Sequence, residues 1–239
     1  MPFNPGLGAV ICEKFAAQGA DIAVNYVSNK ERAEEVAEQC RKEFGVRVVT
    51  LQADAGSADD IARLVEQSVE QLGGLDVVIH NAGWTRFATF GDLNDLSIDE
   101  WNKCWNVNVM SQLLLMQQVA PIFKNNSEGG VFIITSSVAG TTVGGSSMGY
   151  CVTKAAGLRL MKCLASTQGL KIRINAVLPG LLLTEWGMQF PETARKAGIE
   201  KAVLKQETKL DDCADAFVAI AMNTSMTGQQ IVVDSGIVI

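Results

Sequence analysis

The sequence predicts a doubly wound α/β domain, in which helices cover both faces of a parallel β-sheet. Short runs rich in β-branched residues alternate along the chain with longer amphipathic helical patterns. Strands that are separated by helices are joined by crossover connections, and such strands run parallel in one sheet. The chain has 239 residues, of which 48% are hydrophobic and 19% are charged, and this profile suits one well-buried domain. We therefore expect residues 1–239 to form a single domain.

The chain begins with a turn rather than with a strand. Asn4-Pro5-Gly6-Leu7-Gly8 precedes a predicted helix at residues 8–18, whereas a doubly wound nucleotide-binding domain normally opens with a buried strand that leads into such a turn. The sequence as given therefore lacks the first β-strand and the first glycine of that pattern. We expect a shortened form of a longer protein, with weakened binding of a pyrophosphate. The gap is expected to be filled by residues 1–5, by a partner chain, or by closure of the two neighbouring strands.

Strands and helices then alternate to the end of the chain. The strands are predicted at residues 22–26, 46–52, 75–80, 131–135, 172–178 and 230–233. The further helices are predicted at residues 29–44, 57–72, 97–124, 148–167 and 210–222. Residues 182–202 mix large apolar side chains with charges. We interpret this segment as a mobile helical lid.

Composition and charge exclude several classes of function. With 20 Lys and Arg against 26 Asp and Glu, the formal net charge is −6, so the chain has no broad basic surface for nucleic acid. The single histidine, His80, excludes sites that need two imidazoles, and we interpret it as a strand-end residue. No metal site is expected. Six cysteines without a C-x-x-C pair are typical of reduced thiols in the cytoplasm, and no apolar run is long enough for a membrane span.

Polar residues follow two neighbouring predicted strands at the edge where parallel sheets bind ligands. Asn81-Ala82-Gly83 comes after the strand at 75–80, and Ser137 comes shortly after the strand at 131–135. Tyr150 and Lys154 follow at Y-x-x-x-K spacing, which places a phenol and an ammonium on one face of a helix. An adjacent ammonium favours the phenolate, so we expect Lys154 to bring the pKa of Tyr150 toward the range of acid–base catalysis. Such a pair alone is usually a surface pair, but its position after Ser137 favours the catalytic interpretation.

Taken together, these residues resemble the short-chain dehydrogenase/reductase family in its single-domain, Rossmann-like form. The resemblance covers almost the whole chain and follows the family's order. Its pieces are Gly6-Leu7-Gly8, Asp54, Asn81-Ala82-Gly83, Asn108, Ser137, Tyr150, Lys154, Pro179-Gly180, Thr184 and the closing segment 227–236. The resemblance implies an oxidoreductase that uses a nicotinamide cofactor.

The resemblance also implies a role for each catalytic residue. Tyr150 would exchange a proton with the substrate oxygen, and Ser137 would hydrogen-bond and orient that oxygen. Lys154 would lower the phenol pKa and hold the nicotinamide ribose. Asn108 would support a water that links Lys154 to solvent.

Further residues would hold the cofactor by the same resemblance. The pyrophosphate is expected at Gly6, Leu7 and Gly8, and the strand-end segment Asn81, Ala82 and Gly83 would lie along the cofactor. The remaining expected contacts are Asp54 and Ala55 at the adenine, and Pro179, Gly180 and Thr184 at the nicotinamide.

The end of the strand at 22–26 bears on the choice of cofactor. Members of the family that prefer NAD carry a carboxylate there, which binds the adenosine 2′-hydroxyl and repels a 2′-phosphate. This chain has Tyr26 instead, followed by Ser28, Asn29 and Lys30, whose side chains are able to hold a phosphate. A plain helix cap at Ser28 or Asn29 is the alternative interpretation. We expect NADP, with NAD less favoured.

The predicted function is an NADP(H)-dependent oxidoreductase that interconverts a carbonyl and a secondary alcohol on a small or medium organic molecule. The alternative is a non-catalytic relative with an impaired nucleotide site that serves as a binding or assembly protein. The resemblance further implies a homodimer or homotetramer built on the helices at 97–124 and 148–167. No partner among nucleic acids or membranes is expected.

Overall fold

The structure is a computed structural model, and it describes residues 6–239. The described strands are β1 (Ile22–Tyr26), β2 (Val48–Gln52), β3 (Val77–His80), β4 (Gly130–Thr135), β5 (Ile172–Pro179) and β6 (Gln230–Val233). The described α-helices are α1 (Leu7–Ala16), α2 (Lys30–Phe44), α3 (Ala58–Leu72), α4 (Ile98–Trp105), α5 (Ser111–Asn125), α6 (Met148–Gln168), α7 (Glu192–Lys201) and α8 (Leu210–Met222). All paired strands are parallel, which confirms the doubly wound α/β prediction. No helix within residues 6–239 is long and apolar enough to cross a membrane.

The two faces of β4 show how the helices cover the sheet. Phe132 and Ile134 pack into a core formed with α3, α5 and α6. Val131 and Ile133 point the other way and pack into a second core formed with α1 and α8. This alternation is the side-chain period of a strand that is buried on both faces.

The sheet is divided into two parts, and this division is the main departure from a regular doubly wound fold. One part holds β1 and β2, and the other holds β3, β4, β5 and β6 in that order. Within residues 6–239, β1 and β3 share no backbone pairing, so the expected closure of these two strands onto each other is wrong. Filling of the gap by residues 1–5 lies outside the described residues. A cavity of about 1730 Å³ is lined by residues of both β1 and β3.

The helix predicted at 97–124 is interrupted by one π-helical turn, Asn106–Met110, between α4 and α5. α4 begins with a capping box, in which the Ser97 side chain and the Glu100 side chain each accept from the other residue's backbone N–H. The π turn holds one more residue per hydrogen-bonded ring than an α turn does, and it brings Asn108 into the protein interior.

Residues 182–202 contain two helical pieces, a short 3-10 turn at Gly187–Gln189 and α7. This confirms the helical part of the prediction for that segment. We call the stretch 181–190, which includes the 3-10 turn, the lid segment. A Cβ on Gly187 would lie 1.9 Å from the Leu182 carbonyl oxygen, so the lid segment packs against itself too closely for any larger residue there.

Candidate active site

The large cavity brings the predicted site residues together at the carboxyl ends of the strands. Its lining includes the following predicted residues: Gly6, Leu7, Gly8, Tyr26, Ser28, Asn29, Asp54, Ala55, Asn81, Ala82, Gly83, Ser137, Tyr150, Lys154, Pro179, Gly180 and Thr184. Two predicted residues are not in the lining. Lys30 is exposed outside the cavity, and Asn108 is buried behind its wall.

Tyr150 lies in the first turn of α6, where the Ser147 side chain caps the helix by accepting a hydrogen bond from the Tyr150 backbone N–H at 3.1 Å. The phenol is buried and is hydrogen-bonded to the Ser137 side chain. Burial raises the pKa of Tyr150 above its ordinary value because the charged phenolate loses its hydration, and the Ser137 hydrogen bond offsets part of this effect. The phenol is therefore protonated near neutral pH.

Lys154 lies one turn further along α6 and is also buried. Its ammonium donates a hydrogen bond to the Thr135 carbonyl oxygen at 2.8 Å and lies 5.4 Å from the centre of the Tyr150 ring. Burial lowers the pKa of Lys154 to about 8. The expected lowering of the Tyr150 pKa by Lys154 is wrong for this structure, since desolvation raises that pKa, Lys154 is not among the groups that shift it, and the ammonium is directed at a carbonyl oxygen of β4.

Asn108 holds the loop that follows β3. Its Oδ1 accepts a hydrogen bond from the Trp84 backbone N–H at 2.7 Å, and its Nδ2 donates to the Trp84 carbonyl oxygen at 2.9 Å. The Asn108 carbonyl oxygen accepts from the Gln112 side chain at 2.6 Å. Asn108 is therefore a positioning residue for the segment 81–84, and the water relay implied by the family stays a prediction.

The amino terminus of α1 lies at the nucleotide end of the cavity. Gly6 caps it in an extended conformation without a side-chain hydrogen bond, and the first turn has no acidic residue. Backbone N–H groups of a first turn that lack partners attract an anion, which is what a pyrophosphate needs. A Cβ on Gly8 would lie 2.8 Å from Asn81 Nδ2, so only glycine lets this turn approach the end of β3. The residues present here fit a nicotinamide dinucleotide.

The adenosine end of the cavity carries one residue that was not predicted. Tyr26, Ser28 and Asn29 line it as expected, and the Asn29 side chain also caps α2 by accepting from the Arg32 backbone N–H at 3.0 Å. Arg32, rather than Lys30, lines the cavity, and its Nη1 lies 2.7 Å from the Glu185 carboxylate. The only sequence signal for Arg32 is its place one helical turn after the cap.

Trp186 is a second unpredicted residue of the site. Its ring packs edge to face against Tyr150, with ring centres 5.5 Å apart and planes at 76°. It belongs to the lid segment. Gly180, the residue directly before that segment, packs so closely that a Cβ there would lie 2.7 Å from Thr208 Oγ1. No local pattern in the sequence indicates that this tryptophan returns to Tyr150.

His80 ends β3 in a buried position, as the strand-end interpretation expects. Its Nε2 lies 2.6 Å from Ser111 Oγ, and within residues 6–239 its Nδ1 has no hydrogen-bond partner. Burial lowers the pKa of His80 to about 3, and the nearby Lys154 charge acts in the same direction. His80 is therefore neutral at physiological pH.

Comparison with protein families identifies a match over nearly the whole chain. Residues 4–238 match the sequence profile of the family described as enoyl-(acyl carrier protein) reductase. Versicolorin reductase of Emericella nidulans is 32% identical over 211 residues, which cover 87% of this chain and 76% of the relative. The 3-oxoacyl-(acyl-carrier-protein) reductase FabG of Staphylococcus epidermidis is 28% identical over 234 residues, which cover 97% of this chain and 94% of that protein.

Solved structures give the same result. A short-chain dehydrogenase from Burkholderia cenocepacia in complex with NADP superposes with a TM-score of 0.88 at 31% identity, covering 97% of this chain and 93% of that one. The NADPH-dependent 3-quinuclidinone reductase of Rhodotorula rubra superposes with a TM-score of 0.89 at 27% identity, covering 97% and 87% of the two chains.

Proposed function

Because the chain belongs to the short-chain dehydrogenase/reductase family, an NAD(P)-dependent enzyme family, we propose that it is an NADP(H)-dependent oxidoreductase that interconverts a carbonyl and a secondary alcohol on a small or medium organic molecule. The observation that carries this proposal is the group formed by the buried Tyr150 and Lys154 and the partly buried Ser137 at the wall of a large cavity. Burial of a lysine costs free energy, so a buried Tyr150–Lys154 pair beside a cavity indicates a functional site and not a structural one.

Each catalytic side chain has a distinct task. A bound nicotinamide supplies or accepts the hydride. Tyr150 donates a proton to the carbonyl oxygen during reduction and takes it back during oxidation. Ser137 hydrogen-bonds to the same oxygen and orients it. Lys154, held by the Thr135 carbonyl oxygen, presents its remaining N–H groups to the ribose hydroxyls.

Three observations support NADP over NAD. Tyr26 stands at the end of β1, where a carboxylate would repel a 2′-phosphate. Arg32 lines the same end of the cavity and is able to pair with a phosphate through two N–H groups. The solved relative that is 31% identical was crystallised with NADP.

The substrate is proposed to be an uncharged carbonyl compound. The names of the relatives, 3-oxoacyl and versicolorin reductases, point to reduction of a carbonyl. Arg86, the arginine nearest to Trp84 in the sequence, is paired with Asp95 at 2.8 Å and with Glu100 at 2.6 Å. It is therefore already neutralised and does not serve an acidic substrate.

A cytoplasmic homodimer or homotetramer remains part of the proposal. Ile98, Trp105 and Val152 are exposed on α4 and α6, the helices expected to form the contacts. Light scattering on the eluting protein measures the mass of the assembly, and a monomer contradicts this part.

Replacement of Tyr150 by phenylalanine tests the function. We expect Tyr150→Phe to lower kcat by about 10²–10⁴-fold because the proton donor is lost while little volume changes. NADPH affinity and unfolding temperature should stay close to those of the wild type. Cys163→Ala, on the exposed side of the same helix, is the matched control and should retain full activity.

Cofactor binding and turnover by the wild type separate the proposed enzyme from the alternative, a non-catalytic binding protein. The division of the sheet within residues 6–239 favours that alternative. Wild-type protein that binds neither NADPH nor NADH and reduces no member of a panel of ketones and quinones supports the second function, in which the nucleotide site is impaired. A Tyr150→Phe variant that keeps more than about a tenth of kcat shows that Tyr150 is not the proton donor.

A further inference from the structure

An ion pair joins the adenosine end of the cavity to the lid segment. Arg32 lies in the first turn of α2 and Glu185 lies in the lid segment, 153 positions later in the sequence. Their side chains meet at 2.7 Å between Arg32 Nη1 and Glu185 Oε2, and both residues line the cavity. The side chains are 29% and 69% exposed, so the pair is accessible to a ligand from solution.

The residue next to Glu185 covers the catalytic group. The Trp186 ring packs against Tyr150 at 5.5 Å between centres. A Cβ placed on Gly83 would lie 3.7 Å from Trp186 Cη2 and 3.6 Å from Lys154 Nζ. The tip of the indole and the lysine ammonium therefore both lie close to Gly83. A substrate carbonyl must approach the Tyr150 phenol through this space.

We propose that the Arg32–Glu185 ion pair is a latch that keeps Trp186 over Tyr150, and that the 2′-phosphate of NADP(H) opens it by competing with Glu185 for Arg32. This inference rests on the proposed NADP preference. A 2′-phosphate carries more negative charge than a carboxylate and offers more acceptor oxygens to a guanidinium. Exposed ion pairs contribute little free energy, so the latch biases the position of the lid segment without locking it, and the phosphate is able to displace the carboxylate.

The latch assigns Glu185 a role in specificity. NAD(H) lacks the 2′-phosphate, so it leaves Arg32 on Glu185 and Trp186 over the phenol. NADP(H) takes Arg32, and the lid segment is then free to move away from Tyr150. Because the coupling is reciprocal, Glu185 must also weaken the binding of any ligand that carries a 2′-phosphate. Glu185 is thus a positioning residue that acts through Arg32 and Trp186.

The first test needs no cofactor. Acrylamide quenching of tryptophan emission is measured for the wild type and for Glu185→Gln, each also in a Trp186→Phe background. We expect Glu185→Gln to increase quenching because Trp186 leaves Tyr150, and we expect no increase when Trp186 is absent. Glu192→Gln is the matched control, since Glu192 pairs with Lys196 within the exposed α7. Equal quenching of Glu185→Gln and the wild type would overturn the latch.

The second test uses two small nucleotides. Adenosine 2′,5′-bisphosphate carries the 2′-phosphate without the nicotinamide, and 5′-AMP lacks both. We expect Glu185→Gln to tighten binding of the bisphosphate by about two- to fivefold, the size expected for one exposed ion pair, and to leave 5′-AMP unchanged. The tighter binding of the bisphosphate that Glu185→Gln causes should vanish in the Arg32→Gln background. It should persist in the Arg63→Gln background, since that substitution removes only an ion pair within α3.

The two proposals fail in different ways. A gain that is equal for the two nucleotides, or that persists without Arg32, overturns the latch even if NADPH binds and turns over. Wild-type protein that binds neither NADPH nor NADH contradicts the proposed function. The quenching experiment then still decides whether Glu185 holds Trp186.

Discussion

The proposed catalytic half of this protein, built on β3 to β6, and the proposed nucleotide half, built on β1 and β2, differ in strand pairing and burial. β4 and β5 pair with strands on both sides, and β4 is buried along its whole length. Within residues 6–239, β1 pairs only with β2, and none of its residues is fully buried. Ser137, Tyr150 and Lys154 belong to the first half, whereas Tyr26 belongs to the second. The arrangement of Tyr150 and Lys154 therefore rests on the four-stranded part of the sheet and not on the pairing of β1 with β2.

Asn81 links the end of β4 to the start of α1 at the ligand-binding edge. Its Oδ1 accepts from Thr135 Oγ1 at 3.0 Å, at the end of β4. Its Nδ2 lies against Gly8 at the start of α1. Asn81 therefore lies where the pyrophosphate of the cofactor is proposed to bind.

The largest expected effect is a difference in stability between the two halves. Phe132 in β4 is fully buried, and Phe132→Ala should lower the free energy of unfolding by about 3–5 kcal/mol through lost burial and a cavity. Val24 in β1 is only partly buried, and Val24→Ala should cost about 1 kcal/mol. Urea unfolding of both variants measures the difference. Equal losses would mean that β1 is as firmly packed as β4, contrary to the comparison.

The pH dependence of the unfolding free energy tests the boundary between the halves. His80 lies at this boundary, since it ends β3 and lines the cavity. Its pKa is about 3 in the folded protein against an ordinary value of 6.5, so the unfolded chain binds a proton there that the folded chain does not. Stability is therefore full above pH 6.5 and falls as pH decreases toward 3. The loss from this residue should be about 1.4 kcal/mol per pH unit, or about 2.7 kcal/mol at pH 4.5.

His80→Asn removes the titrating group and isolates this contribution. The difference in unfolding free energy between the variant and the wild type, followed from pH 7 to 4.5, should change by the amount given above. A constant difference would show that His80 keeps its ordinary pKa, which requires water to reach it along the gap between β1 and β3.

The smallest expected effect concerns the nucleotide half alone. Tyr26→Asp places a carboxylate at the end of β1, where it should weaken NADPH by about tenfold and reverse the preference toward NADH. Tyr26→Asn has nearly the same shape without the charge, so it should keep the preference for NADPH. Fluorescence titration of both nucleotides measures the four affinities. Neither variant should change the hydride-transfer rate at saturating cofactor, and a change in that rate would contradict the separation of the halves.

Most of the fold was predictable from local patterns. The bounds of the predicted strands lie within two residues of the observed ones, because β-branched runs and their flanking glycines are local signals. Tyr150 and Lys154 were predictable for the same reason, since their spacing on one helix fixes their common face. Caps such as Asn29 and Ser97 also follow from local chemistry.

The remaining features depend on contacts between distant parts of the chain. The meeting of Arg32 with Glu185 and of Trp186 with Tyr150 is set by the path of the lid segment, which has no periodicity to reveal it. The pKa of Tyr150 was predicted in the wrong direction because spacing shows that Lys154 is near but not that burial dominates. The inward position of Asn108 depends on a π turn that helical periodicity does not indicate.

That π turn makes the helix between residues 98 and 125 sensitive to changes of length. Removal of one residue from Asn106–Met110 would let regular α-helical hydrogen bonding run through, and it would change the directions of the side chains within the turn itself. Asn108 would then turn away from Trp84, and Ser111 would lose its bond to the Val107 carbonyl oxygen. A natural variant shortened here would gain a more regular helix and lose the two hydrogen bonds by which Asn108 holds the loop at Trp84. Length at this position is thus under stronger constraint than residue identity.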